Sequence, residues 1–301
     1  MEYQISIIII SGIYVILALS FYIPLMTGQV SLAQAGFMSI GAYSSAICSV
    51  KFGIPYVPAV MAGGIIAAFF GLLLGLPALR IKGVYLLLLT LGFGEVVKVI
   101  AINIDYIGGA SGMMGIPYQE NSLYYVLGVI IILIVFFQRL KKSRMGRAFE
   151  AVGSDEDSAE VIGINIVSVK LTAFMAGAFL AGIAGGIFAH YGEYIEPLMF
   201  DIMHSLEPLI FTIFGGVQIF WGPIFGAVVL TIVPEFLRVI QDWRMEIYGV
   251  LLIVMMIFRP RGVIGPDTGE LIKKIFKSIL GVNIFSHSHN KQARKETGRN
   301  G

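Results

Sequence analysis

The sequence predicts an all-α integral membrane protein, a polytopic bundle of about 8–10 helices that cross the membrane completely or in part. Of its 301 residues, 57% are hydrophobic and 13% are charged, whereas soluble domains contain about 45–50% apolar and about 25% charged residues. A soluble core of this length cannot bury so much apolar surface. The apolar runs are also long and continuous, unlike the segments of about ten residues with alternating polarity that form membrane β-barrels.

Nine apolar segments are the candidate membrane helices, since about 20 residues span the hydrocarbon layer. The first begins near the N-terminus without a basic region or a small-residue cleavage site, so we expect it to be retained as a span. The second contains several polar residues, and a Trp-Gly-Pro turn separates the seventh from the eighth, so these three need not cross fully. In chain order the segments are residues 5–26, 31–50, 58–79, 83–102, 123–137, 169–191, 206–220, 223–240 and 247–258.

Two hydrophilic regions accompany these segments. The loop at residues 138–168 opens with five basic residues and continues with acidic ones, and the tail from residue 259 onward holds nine of the 21 Lys and Arg residues. Because short basic loops stay in the cytoplasm, we expect both regions to be cytoplasmic and the N-terminus to lie outside. The chain thus divides into a transmembrane domain at 1–266 and a basic, partly disordered tail at 267–301. The basic cluster of the loop comprises Arg139, Lys141, Lys142, Arg144 and Arg147.

Ionisable and polar residues inside the apolar segments are candidates for a polar pathway, because charge inside a membrane is costly and usually functional. Glu95 and Lys98 lie three positions apart, on one helix face, where each can offset the cost of burying the other. A structural ion pair or a water-facing helix end is the alternative explanation. Gln34 and Glu207 are further pathway candidates.

Small residues recur at helical spacing in two of the segments. Ser31, Ala35 and Ser39 lie four apart in the second segment, and Gly182 and Gly186 lie four apart in the sixth. Small side chains allow helix backbones to approach closely in a membrane. Both patterns therefore predict close helix packing.

Several kinds of chemistry find no support in the sequence. The single cysteine, Cys48, excludes an internal disulfide, and the four histidines lack metal-ligand spacing. The glycine-rich run at 108–117 lacks the Gly-Lys-Ser/Thr ending of a phosphate-binding loop. A net charge of +2, concentrated in the tail, gives no indication of nucleic-acid binding. We expect no catalytic residue, no metal and no cofactor bound by this chain.

The hydrophilic loop contains a pattern that predicts a short helix seated against another protein. Asp157, Ser158 and Ala159 are followed by Glu160 and, six positions after the aspartate, by Gly163. Small residues fit a groove, and glycine lets the chain turn back toward the membrane. A solvated amphipathic connector is the simpler alternative.

These residues resemble the Glu-Ala-Ala…Gly loop of ABC-transporter permeases, with Asp157 and Ser158 in place of the Glu and the first Ala. The Ile-x-Leu-Pro ending of some importers is absent, which favours the branched-chain amino-acid division. Across residues 12–265 the chain is similar to the LivM-type permease family of hydrophobic amino-acid uptake systems. The similar motifs include Ser31-Leu-Ala-Gln-Ala-Gly-Phe37, Gly41-Ala-Tyr43, Leu79-Arg-Ile-Lys-Gly-Val-Tyr85, Thr90-Leu-Gly-Phe-Gly-Glu95, Gly163-Ile-Asn165, Trp221-Gly-Pro223 and Phe258-Arg-Pro-Arg-Gly262.

The resemblance implies a subunit of an ATP-driven importer in the cytoplasmic membrane of a bacterium or archaeon. It implies a pathway formed with a second permease, two cytoplasmic ATPase subunits that use the ATP, and an extracytoplasmic binding protein that delivers the substrate. The loop residues 157–160 and 163 would then form a coupling helix, and the basic cluster would anchor the loop at the lipid surface.

Other functions remain open at this point. A related permease could carry urea, short-chain amides or a sugar. A secondary transporter or channel could use Glu95 and Lys98 as an ion or proton relay. A membrane scaffold is a third class, disfavoured by the charged residues within the spans.

Overall fold

The computed structural model describes residues 2–79, 81, 83–236, 249, 253 and 262–264. These residues form a helical bundle whose connections include three 3₁₀ helices and one two-stranded sheet. The α-helices are α1 (Glu2–Leu25), α2 (Gln34–Phe52), α3 (Tyr56–Ala78), α4 (Val84–Asn103), α5 (Ser122–Lys142), α6 (Arg144–Ser154), α7 (Glu156–Val161), α8 (Ile166–Gly192), α9 (Ile202–Gly215) and α10 (Trp221–Phe236). The strands are β1 (Met113–Met114) and β2 (Tyr194–Ile195), and the 3₁₀ helices are Asp105–Ile107, Gly109–Ser111 and Pro197–Met199.

The predicted all-α, multi-pass membrane fold is confirmed. Within the described residues, six helical stretches are long and apolar enough to cross a membrane, and α10 contributes a shorter apolar stretch. The six are Tyr3–Leu25, Tyr56–Ala78, Val84–Asn103, Ser122–Lys142, Ile166–Gly192 and Pro197–Gly215.

Several boundaries differ by three or more residues from the predicted segments, including the starts of α1 and α8 and both ends of α9. Helix α5 continues to Lys142 instead of ending near residue 137, because Lys and Arg are good helix formers and suit the negative end of the helix dipole. Helix α9 begins at Ile202, since the Asp201 carboxylate accepts the His204 amide and caps the helix. Helix α2 begins at Gln34, three residues after the predicted start. The tail at 267–301 and most of the segment at 247–258 lie outside the described residues.

Helix α8 is the centre of the bundle and packs against α1, α2 and α3. Its contacts depend on glycine. A Cβ atom on Gly185 would lie 1.9 Å from the Met38 carbonyl oxygen, and one on Gly41 would lie 2.2 Å from that of Gly182. The backbones of α2 and α8 therefore touch directly, which confirms the close packing predicted from the small residues.

The connection between α1 and α2 is buried although it is not helical. Thr27, Gln29 and Ser31 are all buried there. The Leu32 amide donates a hydrogen bond to the Thr90 hydroxyl of α4 at 2.9 Å, and the Ala33 amide donates one to Ser31 at 3.2 Å. Side-chain hydroxyls thus accept from backbone amides that have no helical partner, as buried non-helical backbone requires.

The turns at the two ends of the bundle have different characters. At one end, β1 and β2 pair antiparallel, with Met113 opposite Ile195, and join the α4–α5 connection to the α8–α9 connection. At the other end lie α6, α7 and the turn between α9 and α10. This turn is tight, because a Cβ on Gly215 would lie 1.8 Å from the carbonyl oxygen of Gly222.

Candidate functional site

The ionisable residues predicted on α4 form an ion pair. Lys98 Nζ lies 2.5 Å from Glu95 Oε2, within one face of the helix, and both side chains are partly exposed. An i,i+3 pair of this kind reduces the cost of placing two charges among apolar residues. The pair is therefore compatible with both predictions, a structural pair and a polar pathway.

Glu95 also borders a narrow cleft between α2, α4 and α9, which is closed to water-sized molecules in this structure. The first turns of α2 and α9 meet there, and the Ala35 amide donates a hydrogen bond to the Ser205 hydroxyl at 3.2 Å. Helix N-termini carry partial positive charge and favour anionic groups. The cleft is lined by Ala35, Leu91, Gly94, Glu95, Phe200, Asp201, Ile202 and Ser205.

The other predicted pathway residues do not line this cleft. Gln34 is buried at the first turn of α2, and its Oε1 atom has no hydrogen-bond partner among the described residues. Glu207 lies on α9 beside Tyr14 of α1, which hydrogen-bonds to it. The Tyr14 ring in turn stacks on His204, with ring centroids 6.5 Å apart. The structure thus brings Glu95 to the cleft and places Gln34, Lys98 and Glu207 around it.

Sequence reasoning missed Asp201, His204 and Ser205, which lie at the start of α9. Asp201 accepts the backbone amide of His204 at 3.1 Å and faces its ring nitrogen Nδ1 at 3.3 Å. An aspartate directly before an apolar run is a helix-start signal that could have located this turn. The contact between Ser205 and Ala35, which lie 170 residues apart in the chain, leaves no signal in the local sequence.

The short helix predicted in the hydrophilic loop is present as α7. Ala159 is buried, whereas Asp157, Ser158 and Glu160 are exposed. Gly163 has a φ of +85° and no neighbour within 4 Å of a Cβ position, so backbone conformation and not crowding requires glycine there. The helix ends where the Gly163 amide donates a hydrogen bond to the Glu160 carbonyl at 2.9 Å.

Asp155 caps the start of α7. Its carboxylate accepts the Asp157 amide at 3.2 Å and the hydroxyl of Ser158. The hydrogen bond from Ser158, followed by those from backbone amides, lowers the pKa of the fully exposed Asp155 carboxyl below its usual value. The cap is therefore charged and intact at neutral pH.

Two apolar residues at the end of α7 were not recognised as a candidate site from the sequence. Val161 is 87% exposed and Ile162 is 72% exposed, and the two are adjacent at the end of α7. They form a small exposed apolar surface beside the buried Ala159. The signal was available as two consecutive β-branched residues between Glu160 and Gly163.

The basic cluster surrounds the corner between α5 and α6, and all five of its side chains are exposed. None of the five forms an ion pair with a described residue. Helix α6 turns its other face inward, and Phe149 and Val152 are buried there. A Cβ on Gly153 would lie 2.2 Å from the Met26 carbonyl oxygen, so α6 rests directly on the end of α1.

Comparison with known proteins places this arrangement in a family. Residues 3–259 match the sequence model described as branched-chain amino acid transport system / permease component. The chain belongs to this family. The predicted resemblance is confirmed, and the protein is a multi-pass membrane permease component.

Curated relatives agree. The chain is 30% identical to the high-affinity branched-chain amino acid transport system permease protein LivM of Salmonella typhimurium, over 87% of this chain and 69% of that protein. Identity and coverage are the same for LivM of Escherichia coli. The fructose import permease protein FruG of Bifidobacterium longum is 25% identical over 58% of this chain and 55% of that protein. No solved structure matches the chain at a significant level.

Proposed function

We propose that this chain forms, together with a second permease subunit, the path by which branched-chain or other hydrophobic amino acids enter a bacterial or archaeal cell. Two cytoplasmic ATPase subunits supply the energy, and an extracytoplasmic binding protein supplies the substrate. The observation that carries the proposal is the family match over residues 3–259, in a chain that presents a short exposed helix at one end of its membrane bundle.

Helix α7 is the proposed contact with the ATPase. Its outward surface combines the exposed polar residues Asp157, Ser158 and Glu160 with the apolar pair Val161 and Ile162. Ala159 packs inward and Gly163 turns the chain back to α8, so the helix is held firmly while its outer surface stays free. A rigid, partly apolar projection of this size suits a groove on a soluble partner. ATP binding and hydrolysis take place on that partner, and no cofactor is bound by this chain.

The proposed pathway passes the cleft between α2, α4 and α9. Both α2 and α9 begin beside this cleft, and helices whose N-termini start at membrane depth are typical of transporter binding sites. Glu95 and Lys98 contribute the charges nearest to it on α4, with Gln34 close by on α2 and Glu207 close by on α9. The second permease would complete the pathway on the partly exposed side of Glu95.

The basic cluster determines the proposed orientation. Five exposed cations at the corner of α5 and α6 favour the cytoplasmic side and bind anionic lipid headgroups. Helix α7 then faces the cytoplasm, β1 and β2 face outward, and the N-terminus lies outside. The loop is thereby anchored at the lipid surface next to its ATPase contact.

Uptake by the complete transporter in proteoliposomes tests the cargo. We expect labelled leucine to accumulate when ATP is inside the vesicles, and excess isoleucine or valine to suppress it by more than about tenfold. Urea, acetamide and fructose serve as matched competitors, and fructose is included because a fructose import permease is among the relatives. Robust uptake of fructose or urea without leucine uptake would reverse the assignment.

A further inference from the structure

One ion pair joins the proposed coupling helix to the central helix of the bundle. Lys170 Nζ on α8 lies 2.5 Å from Glu156 Oε1, and Glu156 is the first residue of α7. Lys170 is 8% exposed, whereas the Glu156 side chain is 30% exposed. In the described part of the chain, Lys170 is the only lysine or arginine that is buried.

A buried lysine at this position needs an explanation beyond packing. Removing an ammonium group from water is costly unless a partner compensates for it, and an apolar side chain of similar length would fill the same space at lower cost. The favourable feature of a buried ion pair is geometric, because it fixes two elements in one arrangement. Here the two elements are α7 and α8.

The pair closes a ring between these helices. The chain itself connects them through the turn at 162–165, where Asn165 caps α8 by accepting the Ser168 amide at 3.0 Å. Glu156 and Lys170 connect them a second time, from the opposite end of α7. Because α7 is then joined to α8 at both of its ends, it cannot rotate about the turn at 162–165 alone. A displacement of α7 therefore moves the N-terminal end of α8.

Helix α8 carries such a movement to the cleft. Gly182 and Gly185 place its backbone directly against α2, and the first turn of α2 contacts Ser205 at the cleft through Ala35. Tightly packed interiors move as units and transmit displacement instead of absorbing it. The ring, α8 and α2 thus form one continuous path from the loop to the cleft.

We infer that Lys170 is a positioning residue for energy coupling, which acts through Glu156 to keep α7 rigid on α8. The inference rests on the proposed function, since it requires an ATPase that acts on α7. Without the pair, α7 would still dock and would still be held by Ala159 and by its junction with α6 at Asp155, but it would lose its direct link to α8, and part of its movement would be lost in rotation about residues 162–165.

Lys170→Met tests the inference, because it removes the buried charge and leaves a Glu156 carboxylate that water can reach. In the complete transporter in proteoliposomes, we expect the ATPase subunits to remain bound and ATP hydrolysis to continue. Leucine taken up per ATP hydrolysed should fall roughly tenfold, within the range of measured coupling between distant sites. Lys170→Arg should stay within about twofold of the parent protein, since arginine can pair with the same carboxylate.

Two further variants control for a general loss of structure. Lys51→Met removes a cation that lies over the Tyr106 ring, remote from α7. It should leave the amount of leucine taken up per ATP hydrolysed unchanged. Glu156→Gln removes the charge from the more exposed partner and should lower the ratio as Lys170→Met does.

The outcomes separate the inference from the proposed function. A parent transporter without leucine uptake overturns both. Leucine uptake by the parent with an unchanged ratio in both Lys170→Met and Glu156→Gln overturns the inference alone. If Lys170→Met fails to assemble while Glu156→Gln couples normally, the lysine is merely structural and the inference is wrong.

Discussion

Helices α8 and α4 have the same mean hydropathy, yet they occupy opposite environments. In the most apolar stretch of α8, 67% of the residues are buried inside the protein, compared with 22% in α4. Hydropathy therefore identifies both as membrane helices and does not distinguish the central helix from the peripheral one. In a membrane this is expected, because lipid tails are as apolar as leucine and give no hydrophobic drive toward burial.

Side-chain size distinguishes the two helices. Gly177, Gly182 and Gly185 allow α8 to touch the backbones of its neighbours. Helix α4 carries large side chains instead, and Leu88, Val96 and others remain exposed on its outer side. Close packing by small residues thus replaces the hydrophobic effect as the cause of the arrangement.

The largest expected effect comes from adding one methyl group to the central helix. Gly185→Ala would place a Cβ 1.9 Å from the Met38 carbonyl oxygen, so the backbones of α2 and α8 must separate. We expect the free energy of unfolding in detergent to fall by about 3 kcal/mol, the upper end of ordinary overpacking. Thermal or denaturant unfolding of the purified protein measures it.

Gly92→Ala on α4 is the matched control. A Cβ at Gly92 meets nothing within 4 Å, and alanine is the better helix former by about 0.5–1 kcal/mol. The control should be as stable as the parent protein or slightly more stable. Equal losses at the two positions would show that glycine does not distinguish the central helix from the peripheral one.

A smaller effect is expected where α4 meets the bundle through a hydrogen bond. Thr90→Val keeps the shape of the side chain but leaves the buried Leu32 amide without its acceptor, at a cost of about 1–3 kcal/mol. Thr90→Ser retains the hydroxyl and should lose less than half as much stability. If the valine variant is as stable as the serine variant, the hydrogen bond contributes nothing to holding α4 in place.

Much of the fold could be predicted because its signals are local. Continuous apolar runs indicated the spans, and the acid–small–small…Gly spacing indicated the short helix that became α7. The limits of α5 and α9 were predicted less well, because basic residues prolonged α5 and the Asp201 cap moved the start of α9 toward the N-terminus. Helix propensity and capping decide these limits, and hydropathy measures neither of them.

The candidate site was predicted only in part, because its geometry joins distant parts of the chain. Glu95 was recognised by its charge in an apolar run, and it does line the cleft. The contact between Ala35 and Ser205 spans 170 residues, and neither residue is unusual in its own segment. Lys170 lies near the start of an apolar run, where a lysine normally extends to water, so its burial could not be predicted from its place in the chain.

The central claim is that α7 transmits the action of an ATPase to the membrane bundle. The most direct test replaces Val161 with the photoreactive residue p-benzoylphenylalanine in the complete transporter in cells. Val161 is 87% exposed at the end of α7, and Tyr118, which is 50% exposed in the α4–α5 connection, is the matched control. After irradiation and mass spectrometry, we expect an adduct with the ATPase subunit from position 161 and none from position 118. An ATPase adduct missing from position 161, or equally abundant from both positions, would contradict the claim.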